Sequence, residues 1–315
     1  MAALQPSRLA FLIRVSRGKL EAESVLFAES IRTWGGTLAD AALYAFTHPN
    51  DRPRSETIER LEDLGAEHVD LPASFPHSGD PKPLNKVYVS AWAERELDHE
   101  VLVFSDTDTA LLGAPLELAD DGGWVAAARP VGNSRTAAST GPEDPNDEYW
   151  RRMYEVAGVR SEPALTTVVD GVRIRAYWNA GLIAARRSAG LFGAWEEILA
   201  RLFERGCVYR KPLFMDQLAW AATIADVHER VQVLPPTYNY PLPKRRKLPP
   251  EMRDLELEDL VHVHYHRWGH LPGFLDELHP QLDPDSERYR WLEERFPLDP
   301  TIDEPFRWAR RKAQG

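Results

Sequence analysis

The stretch that most restricts the fold is Val101-Leu102-Val103-Phe104-Ser105-Asp106-Thr107-Asp108. Four large apolar residues in succession, with no polar alternation, suit a strand buried on both faces, as in a mostly parallel sheet. Two carboxylates, Asp106 and Asp108, follow at its C-terminal end. Open α/β sheets bind ligands beyond the carboxyl ends of their strands. An acidic pair placed there suits a hard divalent cation, with water and phosphate oxygens completing its shell. The competing reading is a solvated turn in which both aspartates bond nearby backbone. The buried strand makes the metal competitive, and the motifs below make it the better reading.

At 315 residues the chain is long enough for a sizeable core, as one large domain or a domain with an appendage. A formal net charge of −11 argues against an extended nucleic-acid surface but leaves room for a local basic pocket for a nucleotide diphosphate. The single cysteine, Cys207, supports neither an internal disulfide nor a cysteine metal cluster, and reads as a small core residue. The start, Met-Ala-Ala-Leu-Gln-Pro, has no apolar stretch after a basic region. No segment reaches the roughly 18 apolar residues of a transmembrane span. A cytoplasmic enzyme is the expectation.

The rest of the chain supplies the layers. Residues 9–15 read as a strand, followed by Ser16-Arg17-Gly18, a turn with donors for an anion. A helix with Phe27, Ile31 and Trp34 on one face stops at Gly35-Gly36. Residues 42–47 form a second strand, Ser55 caps a helix carrying Ile58, Leu61 and Leu64, and residues 67–71 form a third strand. That alternation is the signature of parallel crossover units. A proline-rich loop over 71–84 and a helix over 85–97 lead to the acidic strand. Next come a strand at 124–128, a polar segment at 133–146 that reads as a mobile loop or lid, and a helix at 147–156. Asp170-Gly171 marks a hairpin between 166–169 and 172–175. A strand at 177–185, helices at 191–205 and 214–224, and strands at 232–234 and 260–265 follow. Two terminal helices from residue 283 onward, anchored by Trp291 and Trp308, close the chain. The expected fold class is α/β: a Rossmann-type mixed sheet flanked by helices over residues 1–280, with a C-terminal helical extension over 281–315.

The motifs run in a characteristic order: Lys86 in a helix, Asp106-Thr107-Asp108, Tyr177-Trp178-Asn179-Ala180-Gly181, Asp216-Gln217, Tyr238-Asn239, and His264 in a late strand. This order resembles the nucleotide-sugar glycosyltransferases of GT-A fold, most closely the glycogenin and galactosyltransferase-like retaining group, over about residues 8–270. The resemblance implies a GT-A-like fold and a set of roles. Asp108 would bind the metal, Asp106 would touch ribose and metal, and His264 would complete the protein's share of the shell. Asn179 and Gly181 would line the sugar and acceptor side. Asp216 and Gln217 would meet the donor-sugar hydroxyls and the reacting face, and Lys86 would lie near the diphosphate or ribose. The chain departs from the family after the metal histidine, where a glycine and then a diphosphate-binding lysine are usual. Here His264-Tyr265-His266-Arg267-Trp268-Gly269-His270 has no lysine, so Arg267 would supply the charge.

The chemistry is consistent with those roles. A sugar-nucleotide donor leaves a diphosphate, and a divalent cation lowers the cost of that developing charge. Two carboxylates and one imidazole suit Mn²⁺ or Mg²⁺, the imidazole favouring Mn²⁺. His262, His264 and His266 alternate with Val263 and Tyr265, so they share one strand face, and spacing alone does not choose among them. On its own, Asp216-Gln217 reads as a helix start complementing the dipole, and Asn179-Ala180-Gly181 as a bulge or close-packing site. Lys244-Arg245-Arg246-Lys247 reads as a solvated loop. Trp178 and Trp268 flank the motifs, where either could stack on a sugar or base.

The expected activity is metal-dependent transfer of a sugar, with retention, from a nucleotide diphosphate-sugar to an unidentified acceptor (sugar, glycan, small molecule or protein). No nucleic-acid partner is expected. One alternative is a sugar-nucleotide-forming nucleotidyltransferase, against which the single glycine in Val15-Ser16-Arg17-Gly18-Lys19 counts. The other is a non-catalytic binding protein of the same fold, against which the full ligand set counts.

Overall fold

The first strand explains why the apolar runs lack alternation. In the computed structural model, which describes residues 6–75, 84–135 and 137–298, β1 (Leu9–Arg14) is buried along its whole length. Leu9, Phe11 and Ile13 enter one core cluster, and Ala10 and Leu12 enter another. Successive side chains point to opposite faces, so a strand covered on both faces is apolar throughout.

The chain continues through α1 (Lys19–Trp34), β2 (Ala42–Thr47), α2 (Ser55–Asp63), β3 (Ala66–Asp70), α3 (Asn85–Glu96) and β4 (Val101–Ser105). Then come β5 (Thr109–Leu111), α4 (Leu116–Ala119), β6 (Ala126–Pro130), α5 (Asp147–Ala157), β7 (Ala164–Thr166), β8 (Arg173–Arg175) and β9 (Trp178–Arg186). The last elements are α6 (Leu191–Glu204), α7 (Met215–Ile224), β10 (Val231–Val233), β11 (Tyr240–Pro241), α8 (Pro250–Arg253), β12 (His262–His264) and α9 (Glu287–Glu293).

Strands β1 to β4 pair in parallel, and β9 runs antiparallel between β4 and β6. The seven-stranded order is β10-β6-β9-β4-β1-β2-β3, the expected mixed α/β sheet. Trp150, Trp195 and Trp220 fill the core on one face, while Phe27 and Ile31 of α1 fill the other. Burying a side chain such as Phe27 or Ile31 contributes roughly 1.5–3 kcal/mol. A smaller sheet, β11-β12-β5, brings the histidine strand to the acidic loop. Strand β5 begins one residue after Asp108, and Thr109 pairs with His264. A third cluster, with Tyr240, Tyr265, Trp291 and Leu292, joins this small sheet to α9.

Several expectations are corrected. Ser55 is the exposed first residue of α2 rather than its cap. The helix start is met from α1, where Glu21 accepts the Arg54 N–H at 2.7 Å and the Thr57 hydroxyl at 2.8 Å. The described residues of segment 133–146 form no helix or strand, yet they are no free lid: Ala138 and Ser139 are buried, and the Asn146 amide donates to Ala138 O at 2.7 Å. The basic run 244–247 is not wholly solvated, because Arg245 is buried and donates to the carbonyls of Leu255 and Pro280. The late strand stops at His264, because β5 offers only three partners. The second terminal helix with Trp308, and the middle of the proline-rich loop, lie outside the described residues. Among the described residues no helix is long and apolar enough to cross a membrane.

Candidate active site

The end of β4 is fixed before its carboxylates act. The Asp106 N–H donates to Gly181 O of β9 at 2.8 Å, and the Thr109 hydroxyl donates to Asp106 O at 2.5 Å. Lys86, in the first turn of α3, reaches the same point. Its Nζ lies 2.7 Å from Asp106 Oδ1, 3.0 Å from Ala180 O and 3.4 Å from Asp216 Oδ2. Three acceptors match the three donors of an ammonium. Burial disfavours the charged lysine, but Asp106 and Asp216 outweigh it and raise its pKa. Burial raises both carboxyls in turn, against the pull of Lys86. Asp216 sits in the first turn of α7, and its Oδ1 is buried without a partner.

Asp108 faces the histidines. Its Oδ1 is 3.0 Å from His264 Nε2, while His264 Nδ1 is 2.9 Å from Asn239 Oδ1. The amide of Asn239 donates in turn to Asn179 Oδ1, which also accepts the Gly181 N–H at 2.7 Å. That chain of donors assigns the proton of His264 to Nδ1 and turns Nε2 toward Asp108, the outer-shell arrangement common around metal-ligating histidines. Gly181 permits it: a Cβ there would stand 2.9 Å from Asn239 Nδ2. Burial opposes ionisation of Asp108, but its contact with His264 holds it well below the usual carboxylate range.

His266 joins this cluster from outside the strand. Its backbone is left-handed, with φ of 52°, and its ring stacks on His264 with centroids 3.8 Å apart. Its Nε2 is buried without a partner. Burial and then the neighbouring His264 lower its pKa to about 2, leaving a neutral imidazole with a free lone pair. Ligand atoms of Asp108, His264 and His266 all lie within 4.8 Å of one another. Left-handed backbone is uncommon outside glycine and gathers at functional sites; Asn239, with φ of 48°, adopts it here too.

Lys86, Asp106, Asp108, Asn179, Gly181, Asp216 and His264 lie in two adjoining groups. Lys86, Asp106 and Asp216 form one buried group, and Asp108 with His264 belongs to the adjoining one. His262 is committed elsewhere: it is fully buried, 3.2 Å from Ser105 Oγ, and takes the Asn239 N–H. Asn179 spends its oxygen inside the network, Gln217 is half-buried beside Asp216, and Arg267 is exposed on the turn His266–His270. Trp178 is fully buried, which leaves its ring no face for a sugar, while Trp268 is half-buried and packs on Phe274. Sequence reasoning missed Glu23, which pairs with His270 at 2.9 Å in the interior beside Thr107. Its signal was an acid on the apolar stripe of α1, four residues before Phe27.

A family model described as the Rhodobacterales glycosyltransferase domain matches residues 11–228. That span carries Lys86, both aspartates of the acidic loop, Asn179, Gly181 and Asp216, and it ends before β12. Among solved structures, the chain is similar to the apo structure of the bifunctional glycosyltransferase WbbM, with 12% identity and a TM-score of 0.51. The match covers 94% of this chain and 52% of the other, so this chain spans about half of that one, and the likeness speaks to the fold. Comparison with curated proteins finds no match.

Proposed function

The chain belongs to the Rhodobacterales glycosyltransferase domain family, and we propose that it transfers a sugar, with retention, from a nucleotide diphosphate-sugar bound through a divalent cation. The catalytic unit in this reading is residues 1–280, with 281–315 as an extension. The observation that carries it is the convergence of Asp108, His264 and His266 within 4.8 Å beyond the carboxyl end of β4. The donor set fits a cation. His266 Nε2 is buried and orphaned, and His264 offers Nε2 because Nδ1 is held by Asn239. Lys86 bridges both Asp106 and Asp216, and the ion pair of Asp108 is with a histidine, so carboxylates outnumber the cations that bridge them. Imidazole with carboxylate favours Mn²⁺ over Mg²⁺. When bound, the cation offsets the charge that develops on the departing diphosphate.

The protein's own residues would divide the remaining work. Lys86 holds Asp106 and Asp216 in fixed geometry. The unpartnered Oδ1 of Asp216 is an acceptor suited to a donor-sugar hydroxyl. Retention is supported by the same pairing: inversion needs a carboxylate base free to meet the acceptor hydroxyl, and Asp216 is buried against Lys86. Proton NMR of the first-formed product, read before mutarotation, should show the donor's anomer. An inverted centre would make Asp216 the base. A thermal-shift screen tests the donor class. A nucleoside diphosphate at about 100 times its Kd should add about 2.7 kcal/mol of stability, and only with Mn²⁺ present; stabilisation indifferent to Mn²⁺ would remove the metal from the mechanism.

A further inference from the structure

The segment that leads into α7 carries apolar side chains that the protein does not cover. Among the described residues five large apolar side chains are exposed, and three of them, Phe203, Val208 and Leu213, fall within residues 203–213. Single exposed apolar residues are ordinary on a protein surface, whereas a concentration of them marks an interaction site. The local structure holds them out. Cys207 and Tyr209 are buried on either side of Val208, which leaves Val208 facing outward. The Tyr209 N–H donates to Met215 Sδ at 3.2 Å and pins the base of the loop between them. Within that loop the Phe214 N–H donates to Lys211 O at 3.1 Å, and Leu213, on the turn so formed, is 49% exposed.

The charge of this surface says what covers it. Residues 201–213 hold four cations, Arg201, Arg205, Arg210 and Lys211, against one acid, Glu204, a local excess of three positive charges in a chain whose formal net charge is −11. All four are exposed. Arg152 of α5 joins Arg201 and Arg205 in lining one shallow groove, where Glu155 is the one acid, and it is tied there by its bond to Arg205 O at 3.1 Å. The nearby Arg151 and Arg160 are paired with Asp147 and Asp226, while no described carboxylate pairs with the cations of 201–213. Cations interleaved with exposed apolar side chains suit an anionic bilayer: the cations meet the headgroups, and the apolar side chains enter the boundary with the acyl chains. A nucleic acid would use the charge and leave Phe203, Val208 and Leu213 in water.

We propose that Phe203, Val208 and Leu213, with the cations around them, dock the protein peripherally on an anionic phospholipid bilayer. Leu213 precedes Asp216 by three residues, at most about 11 Å along the chain, and Trp195 of α6 donates to Asp216 O at 2.9 Å. Docking therefore sets the Asp216 end of α7 close to the membrane surface. The surface stands whether or not the site transfers a sugar.

The test is co-sedimentation of the full chain, in EDTA, with phosphatidylcholine vesicles that contain or lack about one third phosphatidylglycerol. The parent should bind the anionic vesicles and leave the neutral ones. Raising NaCl from about 0.1 to 1 M, which shortens the screening length from about 10 to 3 Å, should weaken that binding at least tenfold. Arg210→Gln with Lys211→Gln should weaken it about 30-fold, a factor of roughly five per cation. Val208→Ser with Leu213→Ser should weaken it about tenfold or more, through lost apolar burial. Melting temperatures of both variants should stay close to the parent's, because the four side chains are exposed. A parent that does not sediment with the anionic vesicles overturns the proposal. So does undiminished binding in V208S/L213S, which would leave charge alone at work, as for any polyanion. A parent that ignores vesicles but self-associates, and that V208S/L213S renders monomeric in analytical ultracentrifugation, overturns it in favour of a second copy of the chain.

Discussion

At Asp108 the chemistry of one residue can be separated from its shape. Asp108→Asn keeps the outline and removes the charge, so Mn²⁺ binding measured by calorimetry with a nucleoside diphosphate should weaken by more than the roughly 10- to 100-fold typical of outer-shell changes. Alanine at His264 should give the largest loss of the three histidines and His266 a clear one. His262→Ala should lower the melting temperature instead, since that ring meets Ser105 and the edge of Phe27. Undiminished binding in D108N would return the acidic loop to the status of a turn. The aspartates were legible because acids directly after a buried strand have few apolar excuses, whereas Lys86 came only from the family resemblance. The choice between His262 and His266 was not legible, because period-two spacing says which face residues share and not where a strand ends. Asn239 stood in the motif order without a role, because its role lies in bonds to Asn179 and His264, residues 60 and 25 positions away.

At the scale of elements, Glu21 ties the turn after β1 to the start of α2. Its carboxylate accepts the N–H groups of Gly18 and Arg54 and the hydroxyl of Thr57. Burial opposes its charge, but these bonds hold its pKa below the usual value of 4.5. A depressed carboxyl adds stability that is fully present above about pH 4.5 and is lost as pH falls through the lower, folded value. Glu21→Gln should therefore cost about 1–3 kcal/mol at pH 7, and the gap from the parent, followed by thermal melts, should close as pH drops toward 3. A constant gap would mean that the contact is steric. The long elements were legible from pattern, since β1, β2 and β4 are buried nearly throughout and α1 carries Phe27 and Ile31 on its buried face. Strands β5 and β11, of three and two residues, are too short to display any period. Ser55 misled because the cap came from another helix, which local sequence does not encode.

Among the described residues the small sheet lies beyond the C-terminal end of β4, the central strand of the large one, and the candidate site is made where they meet. The large sheet supplies Lys86's neighbours and the acidic loop, and the small one supplies His264. Their joint rests on the third core cluster, where the Tyr265 N–H donates to Asp108 O at 3.2 Å and its hydroxyl to Thr107 O at 3.1 Å. The α9 residue Trp291 closes that cluster, meeting Trp34 of α1 edge to face at 6.1 Å with Arg295 over its ring at 4.3 Å. Trp291→Ala should therefore do two things. Removing a ring that is 8% exposed should cost about 3 kcal/mol in lost transfer and cavity, a fall of roughly 6–12 °C in melting temperature for a domain of this size. Because Tyr265 braces the acidic loop from the same cluster, Mn²⁺ affinity should fall about tenfold as well, although the ring lies far from the ligands in sequence. Calorimetry and melts on one preparation separate the effects. A lower melting temperature with unchanged Mn²⁺ affinity would mean that β5 and β12 hold the cluster by their own pairing, and that α9 only covers it.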